Sequence, residues 1–228
     1  MKSIILSCPT LKKELLAALA SHNSEIPVHF MPYQLHNDVK YLHEYVQKMI
    51  DSLENVDRIY ICTTGCGGGT IGLKATTAEL VLPRTRDCLD ILLSGNNLKR
   101  DDRRNLRGIY YTASWMDFGK NSEIDPEKLI AKRGQEEAEA FLRKLYNGFK
   151  DFYIIDTGCY DVEEVRAYAN TLMKILGTEV QVIKGEYKIL HKMVTHQIDE
   201  DFVIVPKGET VVAGSFMPNK QQEEIQGA

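Results

Sequence analysis

The stretch "RIYICTTGCGGGTIG" (residues 58–72) joins a short apolar segment to a loop rich in glycine. Its first five positions are mostly branched or aromatic, which is typical of a buried β-strand. The loop holds Cys66 and then three consecutive glycines, which lack a Cβ atom and let backbone amides approach a sulfur or a bound oxyanion. Ligands of α/β proteins bind at the carboxyl ends of strands. The stretch therefore predicts a functional loop that either holds a phosphate or presents a thiolate.

Outward from this stretch, strand-like and helix-like segments alternate along the chain. The predicted strands cover residues 3–7, 28–31, 58–62, 79–83, 108–113, 152–156, 180–183 and 202–206. The predicted helices cover residues 10–21, 38–53, 87–95, 126–146, 162–176 and 187–197. This alternation is typical of an α/β fold with mostly parallel sheets and helices on both faces. We expect two Rossmann-like lobes around a cleft, at residues 1–122 and 150–228, joined by a connecting helix within residues 123–149.

The composition limits the classes of partner. The 228 residues carry a net charge of −4 with a pI of about 5.9, so the chain has no general attraction to nucleic acid or to an anionic membrane. No apolar run approaches the roughly 20 residues that span a bilayer. The five cysteines are an odd number in a chain large enough to fold without disulfides, which is typical of a reducing compartment. We expect a cytoplasmic protein with a small-molecule ligand.

Candidate metal ligands follow four consecutive predicted strands. Cys8 follows the first strand and His36 the second. Cys66 follows the third strand and Cys88 the fourth, whereas Cys62 ends the third strand and is expected to point into the core. Because the carboxyl ends of parallel strands meet at one edge, three thiols and one imidazole should converge there, as in a tetrahedral zinc site; three thiolates also suit an iron–sulfur cluster. There is no CxxC pair, so a single reactive thiolate and inert buried cysteines remain alternatives.

The first helix adds two features to this site. Pro9 suits the first helical position, which makes Cys8 the N-cap, where free amides and the helix dipole stabilise a thiolate. Glu14 lies further along the same helix and is a candidate base or orienting group, although a solvated glutamate is the commoner alternative. Cys66 and Glu14 are therefore the catalytic candidates.

The glycine loop matches nucleotide-binding patterns only in part. Residues 67–72 fit G-x-G-x-x-G formally, but no acidic residue ends the next strand, and the lysine pattern of a P-loop is missing. The segment "TIGLKATTAEL" (residues 70–80) is a candidate helix whose N-terminus would hold an anion. We favour Gly67, Gly68 and Gly69 as backbone donors to substrate beside a thiolate.

Four other residues are candidate substrate contacts. Arg84 could bind a carboxylate or phosphate through two nitrogens, with Asp87 nearby, although a surface ion pair of Arg84 with Asp87 or Asp90 is equally compatible with the pattern. Trp115, the only tryptophan, follows the fifth strand, and Asp156 ends the sixth. Trp115 is expected either to form the floor of a pocket or simply to pack in the core, and Asp156 is expected to face the cleft. Cys159 follows Asp156 closely and is a weaker candidate for the cleft.

Six segments carry a resemblance to a known family. They are "LSCPTLKKEL" (6–15), "LHN" (35–37), "GCGGGTIGL" (65–73), "LPRTRDCLDILLSG" (82–95), "YYTASW" (110–115) and "DFVIVPKGE" (201–209). From about residue 4 to residue 211, the chain resembles the family known as domain of unknown function sixteen thirty-eight (DUF1638).

The resemblance implies the same four ligands as the strand ends. Motifs of the family centre on cysteines that match Cys8, Cys66 and Cys88, and on a histidine that matches His36. The family pattern places an asparagine where this chain has Gly68, so a side-chain amide is missing here. The family has no established activity, and its similarity in context to proteins of corrinoid-dependent methyl transfer implies a role in such a system.

Two classes of function fit these residues, and the sequence leaves open whether the protein is an enzyme. The first is a metal-binding protein with a Cys3His-type zinc site that handles a small molecule in thiol-linked or corrinoid-linked methyl transfer. An iron–sulfur enzyme with an open cluster position is the alternative for the same cysteines. The second class is a non-enzymatic accessory or carrier protein that binds a corrinoid or a methyltransferase, although the chain has no Asp-x-His-x-x-Gly corrinoid motif.

Overall fold

The computed structural model shows a chain divided into two compact units. It describes residues 1–63, 68–93 and 104–216. The first unit comprises Met1–Lys99 and Tyr187–Ala228, and the second comprises Arg100–Glu186. These boundaries differ from the expected lobes at residues 1–122 and 150–228. The first unit ends at Lys99 and takes up the chain again from Tyr187.

The first unit is built on a five-stranded sheet. Its strands are β1 (Ser3–Ser7), β2 (Val28–Phe30), β3 (Arg58–Cys62), β4 (Glu79–Pro83) and, later in the chain, β8 (Phe202–Val205). The strand order is β2-β1-β3-β4-β8. All neighbours are parallel except β4 and β8, which are antiparallel. The prediction of a mostly parallel sheet is therefore confirmed.

One face of this sheet is covered by α2 (Val39–Ser52). Asp38 caps the helix, and its carboxylate accepts the amides of Lys40 and Tyr41 at 2.9 and 3.1 Å. The apolar stripe of α2 then packs into one core cluster with alternate residues of β3, among them Ile59 and Ile61. The predicted helix over residues 38–53 is thus confirmed, and its burial explains why it forms.

Three further helices lie on the opposite face: α1 (Lys12–Ser21), α3 (Cys88–Leu93) and α8 (Lys188–Val194). Tyr60 alternates with Ile59 and Ile61 along β3, so its side chain points to the other face. There the Tyr60 hydroxyl lies 2.7 Å from Nδ1 of His196, just past the end of α8. Since α8 contacts both α1 and α3, helices cover both faces of the first sheet, as predicted.

The second unit has a three-stranded parallel sheet in the order β5 (Ile109–Tyr111), β6 (Phe152–Asp156) and β7 (Val180–Lys184). Its helices are α4 (Ala113–Lys120), α5 (Pro126–Arg133), α6 (Gln135–Leu145) and α7 (Val162–Leu176). These helices and the sheet share one apolar core. The described part of the chain contains no helix long and apolar enough to cross a membrane.

Two expectations about this region were wrong. The single connecting helix predicted over residues 126–146 is broken at Gly134, whose φ of +82° is strained for any residue with a side chain. β5 was expected in the first lobe, but it pairs with β6. The sequence pattern reveals strands but not their partners, and β8 likewise returns to β4 from the far end of the chain.

Gly119 on α4 allows close approach of Tyr168 on α7. A Cβ atom at position 119 would lie 3.2 Å from Tyr168 Cζ and closer still to its hydroxyl oxygen, which is held by a 3.1 Å hydrogen bond to the buried Asp125. We expect Gly119→Ala to lower the free energy of unfolding by about 1–3 kcal/mol. Urea denaturation would measure this loss, which should shrink in a Tyr168→Phe background. Gly214→Ala, which meets no atom within 4 Å, is the control.

Two histidines make the packing of α8 sensitive to acid. His191 Nδ1 lies 2.9 Å from His22 Nε2, and His196 bonds Tyr60. Partial burial lowers the pKa of His191, and His22 lowers it further. Partial burial also lowers the pKa of His196, with Arg58 and the N-terminal ammonium acting in the same direction. Both pKa values are thus depressed in the folded state, which favours the neutral rings.

The sign of the pH effect follows from this depression. The stabilisation is fully present above the unfolded-state pKa of roughly 6.5, and it is lost as the pH falls through the lower folded-state values. We expect the urea midpoint to fall between about pH 7.5 and pH 5. The fall should be smaller in a His191→Gln, His196→Gln double variant, and an equal fall in both proteins would show that other groups cause the acid sensitivity.

Candidate functional site

Two predicted ligands lie at the carboxyl edge of the first sheet. Cys8 directly follows β1 and is the N-cap of a short 3-10 turn, Pro9–Leu11, that leads into α1, as the sequence predicted. Cys88 is the first residue of α3, just beyond β4. Both side chains are buried, with exposed fractions of 8% and 3%. The strand ends thus bring two cysteines from distant parts of the sequence to one edge.

A third cysteine, Cys62, joins them at this edge. It is the last residue of β3, it is fully buried, and its carbonyl accepts the Cys8 amide at 3.2 Å. Burial raises the pKa of the Cys62 thiol, and the Cys8 and Cys88 thiols raise it further. We call Cys8, Cys62 and Cys88 the thiol cluster. Cys62 is buried in the core, as expected, and there it also neighbours Cys8 and Cys88.

Hydroxyl groups support the sulfurs of the thiol cluster. Burial and the neighbouring Cys88 raise the pKa of Cys8 to about 11, while two hydrogen bonds from Thr10 act in the opposite direction. One of these comes from the Thr10 hydroxyl to Cys8 Sγ at 3.0 Å, and the other from its backbone. The Ser7 hydroxyl donates to the Cys8 carbonyl at 3.1 Å, and it lies close enough to Cys62 to lower the pKa of that thiol. Sequence reasoning missed Thr10 and Ser7, although their positions beside a strand-end cysteine were a usable signal.

The described residues alone do not form a ready metal site. Across residues 1–63, 68–93 and 104–216, no group of three or more histidine, cysteine, aspartate or glutamate side chains is placed to hold a metal ion. Cys66 and Gly67, which were predicted as a ligand and a backbone donor, lie outside the described residues. The four-ligand set therefore stays a prediction.

His36 lies in a 3-10 turn, Tyr33–Asn37, that follows β2. His36 is exposed, yet partial desolvation by the surrounding protein lowers the pKa of its imidazole, while the Asp87 carboxylate opposes this shift. The interaction with Asp87 places His36 near the start of α3, where Cys88 lies. Near neutral pH the lowered pKa favours the uncharged ring, which is the form that binds metals.

The described glycines do not lead into a helix. Residues 68–78 form turns and one isolated bridge, so the helix considered over residues 70–80 is absent and cannot hold an anion at its N-terminus. Gly68 has a φ of +83°, and the Gly69 carbonyl lies 3.1 Å from Nδ1 of His43 on α2. Gly68 and Gly69 therefore belong to a loop whose exit is held by side chains and backbone.

The two charged residues expected to bind substrate make intramolecular bonds. Arg84 donates to the backbone carbonyls of Glu200 and Phe202 at 3.0 and 3.1 Å, and also to that of Ser215. Asp87 does not pair with Arg84. Its carboxylate instead accepts the amides of Leu89 and Asp90 at the start of α3. Asp87 thus orders the backbone that begins at Cys88, whereas Arg84 orders the backbone on both sides of β8.

Glu14 is fully buried in the first turn of α1. This corrects the alternative of a solvated glutamate, since a carboxyl group out of water is costly unless it is paired or protonated. Glu14 lies four residues after Thr10, the donor to Cys8, on the same buried side of the chain segment. Its position is compatible with the predicted base or orienting role.

The remaining candidates belong to the second unit. Trp115 lies on α4 and meets Phe118 edge-on, with ring centroids 5.3 Å apart. Asp156 ends β6, as predicted, and accepts the Gly158 amide at 3.0 Å. Cys159 is partly buried, and its thiol lies 3.8 Å from the Thr157 carbonyl. The structure places these three in a different unit from the thiol cluster.

Comparison with known families identifies the chain. The family model described as protein of unknown function (DUF1638) matches residues 30–194, which is more than half of the sequence. Comparison with curated proteins and with solved structures gave no significant match. The match spans His36, Cys62, Cys66 and Cys88, and it agrees with the resemblance carried by the motifs. The chain therefore belongs to the DUF1638 family of proteins of unknown function.

Proposed function

We propose that the protein binds a metal ion, most simply zinc, through Cys8, Cys66, Cys88 and His36, and that this site acts on or carries a small molecule. One observation carries the proposal: Cys8 and Cys88 are both buried at the same edge of a parallel sheet, close enough for the Cys88 thiol to raise the pKa of Cys8. Cys66 follows β3 in the sequence, and β3 lies between β1, which precedes Cys8, and β4, which precedes Cys88. The proposal takes Cys66 as the further ligand.

The chemistry of the donors suits a borderline or soft cation. With its pKa raised to about 11, Cys8 is protonated at neutral pH, whereas a thiol that acts alone as a nucleophile needs a lowered pKa. A divalent cation offsets the repulsion among neighbouring thiolates and the penalty of their burial. The environment of Cys8 therefore supports the metal site over a single reactive thiolate at this position.

The residues around the ligands would orient them. The Thr10 hydroxyl and amide donate to Cys8 Sγ, and hydrogen bonds of this kind fix a ligand and tune its charge. The neutral imidazole of His36 is ready to coordinate, with the Asp87 carboxylate close by. A bound zinc ion would supply a Lewis acid and hold the coordinating thiols as thiolates.

The wider biological role is also a proposal. Participation in thiol-linked or corrinoid-linked methyl transfer, with a corrinoid or a methyltransferase as partner, rests on the contextual similarity of the family. A cytoplasmic location is supported by the cysteine usage, since an odd number of cysteines in a chain large enough to fold without disulfides is typical of a reducing compartment. An iron–sulfur cluster would use the same cysteines and is the alternative cofactor.

Competition with a chromophoric chelator tests metal binding directly. Reduced, metal-free protein is titrated with zinc in the presence of the chelator, and we expect the protein to withdraw a single zinc ion per chain. Protein that never competes for zinc would contradict the proposal. A parallel anaerobic reconstitution with iron and sulfide separates the alternative, since a brown, sulfide-containing product would assign the cysteines to a cluster.

A further inference from the structure

The exit of the glycine loop, residues 72–75, is held by a late segment of the chain. We call residues 206–216 the C-terminal strap. Residues 208–211 of the strap run antiparallel to the loop exit, centred on a bridge between Lys74 and Thr210. Four main-chain hydrogen bonds of 2.8–2.9 Å join the two segments: Gly72 N–H to Val211 O, Val211 N–H to Leu73 O, Ala75 N–H to Glu209 O and Gly208 N–H to Ala75 O.

Apolar contacts and one arginine fasten the C-terminal strap. Val211 is almost fully buried in the core cluster between α2 and the first sheet, and Phe216 packs against the same cluster. Arg84, just past the end of β4, donates to the carbonyl of Ser215 near the end of the strap. The same guanidinium donates to the carbonyls of Glu200 and Phe202, where β8 begins. Arg84 therefore ties both ends of the segment 200–216 to one point beside β4.

The loop exit has a second, independent support from α2. His43 Nδ1 lies 3.1 Å from the Gly69 carbonyl, and the Gln47 side chain accepts the Lys74 amide at 2.8 Å. The exit is thus held from α2 on one side and from the C-terminal strap on the other. If the strap were released, residues 72–75 would lose these main-chain bonds and keep the contact with α2 and the burial of Leu73 and Ala75 in the core.

We propose that Arg84 is a positioning residue for the glycine loop: its guanidinium fixes the C-terminal strap, and the strap fixes the loop exit. This assigns the arginine a role different from the predicted contact with a substrate anion. For holding the strap, the planar arrangement of several N–H donors in the guanidinium matters more than its charge, because its acceptors here are carbonyl oxygens at several positions. The expected effect of Arg84 on metal affinity rests on the proposed function, whereas its expected effect on the backbone of residues 72–75 does not.

The test compares Arg84→Met with a matched control, Arg58→Met. Arg58 lies on the same sheet but at the start of β3, and its Nε is 2.7 Å from Glu79 Oε1. Hydrogen–deuterium exchange at the amides of Gly72 and Ala75 reports directly on the strap bonds. The two variants are compared at denaturant concentrations that give them the same free energy of unfolding. Under those conditions we expect the amides of Gly72 and Ala75 to exchange at least tenfold faster in Arg84→Met than in Arg58→Met.

Two further readouts make the proposal falsifiable. Zinc affinity should fall roughly tenfold in Arg84→Met and stay within about twofold of wild type in Arg58→Met. Arg84→Lys, which keeps the charge but not the fork, should behave like Arg84→Met. Equal exchange at Gly72 and Ala75 in the two methionine variants, or full rescue by lysine, would overturn the role of Arg84. A wild-type chain that binds no zinc would refute the proposed function, and the exchange data would still decide this inference.

Discussion

Cys88→Ser is expected to weaken zinc binding by more than about a hundredfold. Removing a residue that only hydrogen-bonds a metal ligand lowers metal affinity by roughly 10–100-fold. Removing a proposed direct ligand should therefore have a larger effect. Serine preserves the shape of the side chain but presents a hydroxyl that does not ionise near neutral pH. Chelator competition on reduced protein measures the change, and Cys8→Ser should give a loss of similar size.

Cys159→Ser is the matched control for these variants. It removes a thiol of the same chain, but Cys159 lies in the second unit and is only partly buried. Zinc affinity should therefore remain within about twofold of wild type. If Cys88→Ser and Cys159→Ser bind zinc equally well, Cys88 is not a ligand. Equal losses in all three serine variants would instead indicate non-specific binding to thiols.

Ile61→Ala is expected to have a large effect on stability, as is typical of truncating a fully buried side chain in a sheet. Ile61 is fully buried on β3, in the core cluster beneath α2, so the substitution should lower the free energy of unfolding by about 2–5 kcal/mol. Ile204→Ala makes the same change on β8, where 48% of the residue is exposed, and should stay within about 0.5 kcal/mol of wild type. Urea denaturation followed by circular dichroism gives both values. Similar losses at the two positions would contradict the assignment of buried and exposed strand faces.

The elements of the fold were largely predictable because each is encoded locally. The apolar run of β3 and the amphipathic spacing of α2 are visible in the sequence and occur where they were predicted. Strand pairing is not encoded locally: nothing within residues 202–205 shows that β8 pairs antiparallel with β4. The break at Gly134 was missed because the residues on both sides of this glycine continue a helical pattern.

The candidate site was predictable only as far as strand ends define it. The rule that ligands gather at the carboxyl edges of parallel sheets is sufficient to place Cys8 and Cys88 together. Cys62 was missed because its proximity to Cys8 depends on the register of β1 with β3, which pairs Cys62 with Ser7. The bonds of Arg84 were unpredictable for a related reason, since a sequence does not show which backbone carbonyls will surround a guanidinium.

The most direct test of the metal site is the metal and acid-labile sulfide content of anaerobically purified, tag-free protein, measured beside Cys66→Ser. We expect a single zinc ion per chain and little or no sulfide in the wild-type protein, and loss of the zinc in Cys66→Ser. Iron together with sulfide would show that the same cysteines bind an iron–sulfur cluster instead of zinc. Wild-type protein without metal, or a Cys66→Ser variant that keeps its full complement of zinc, would contradict the proposed ligand set.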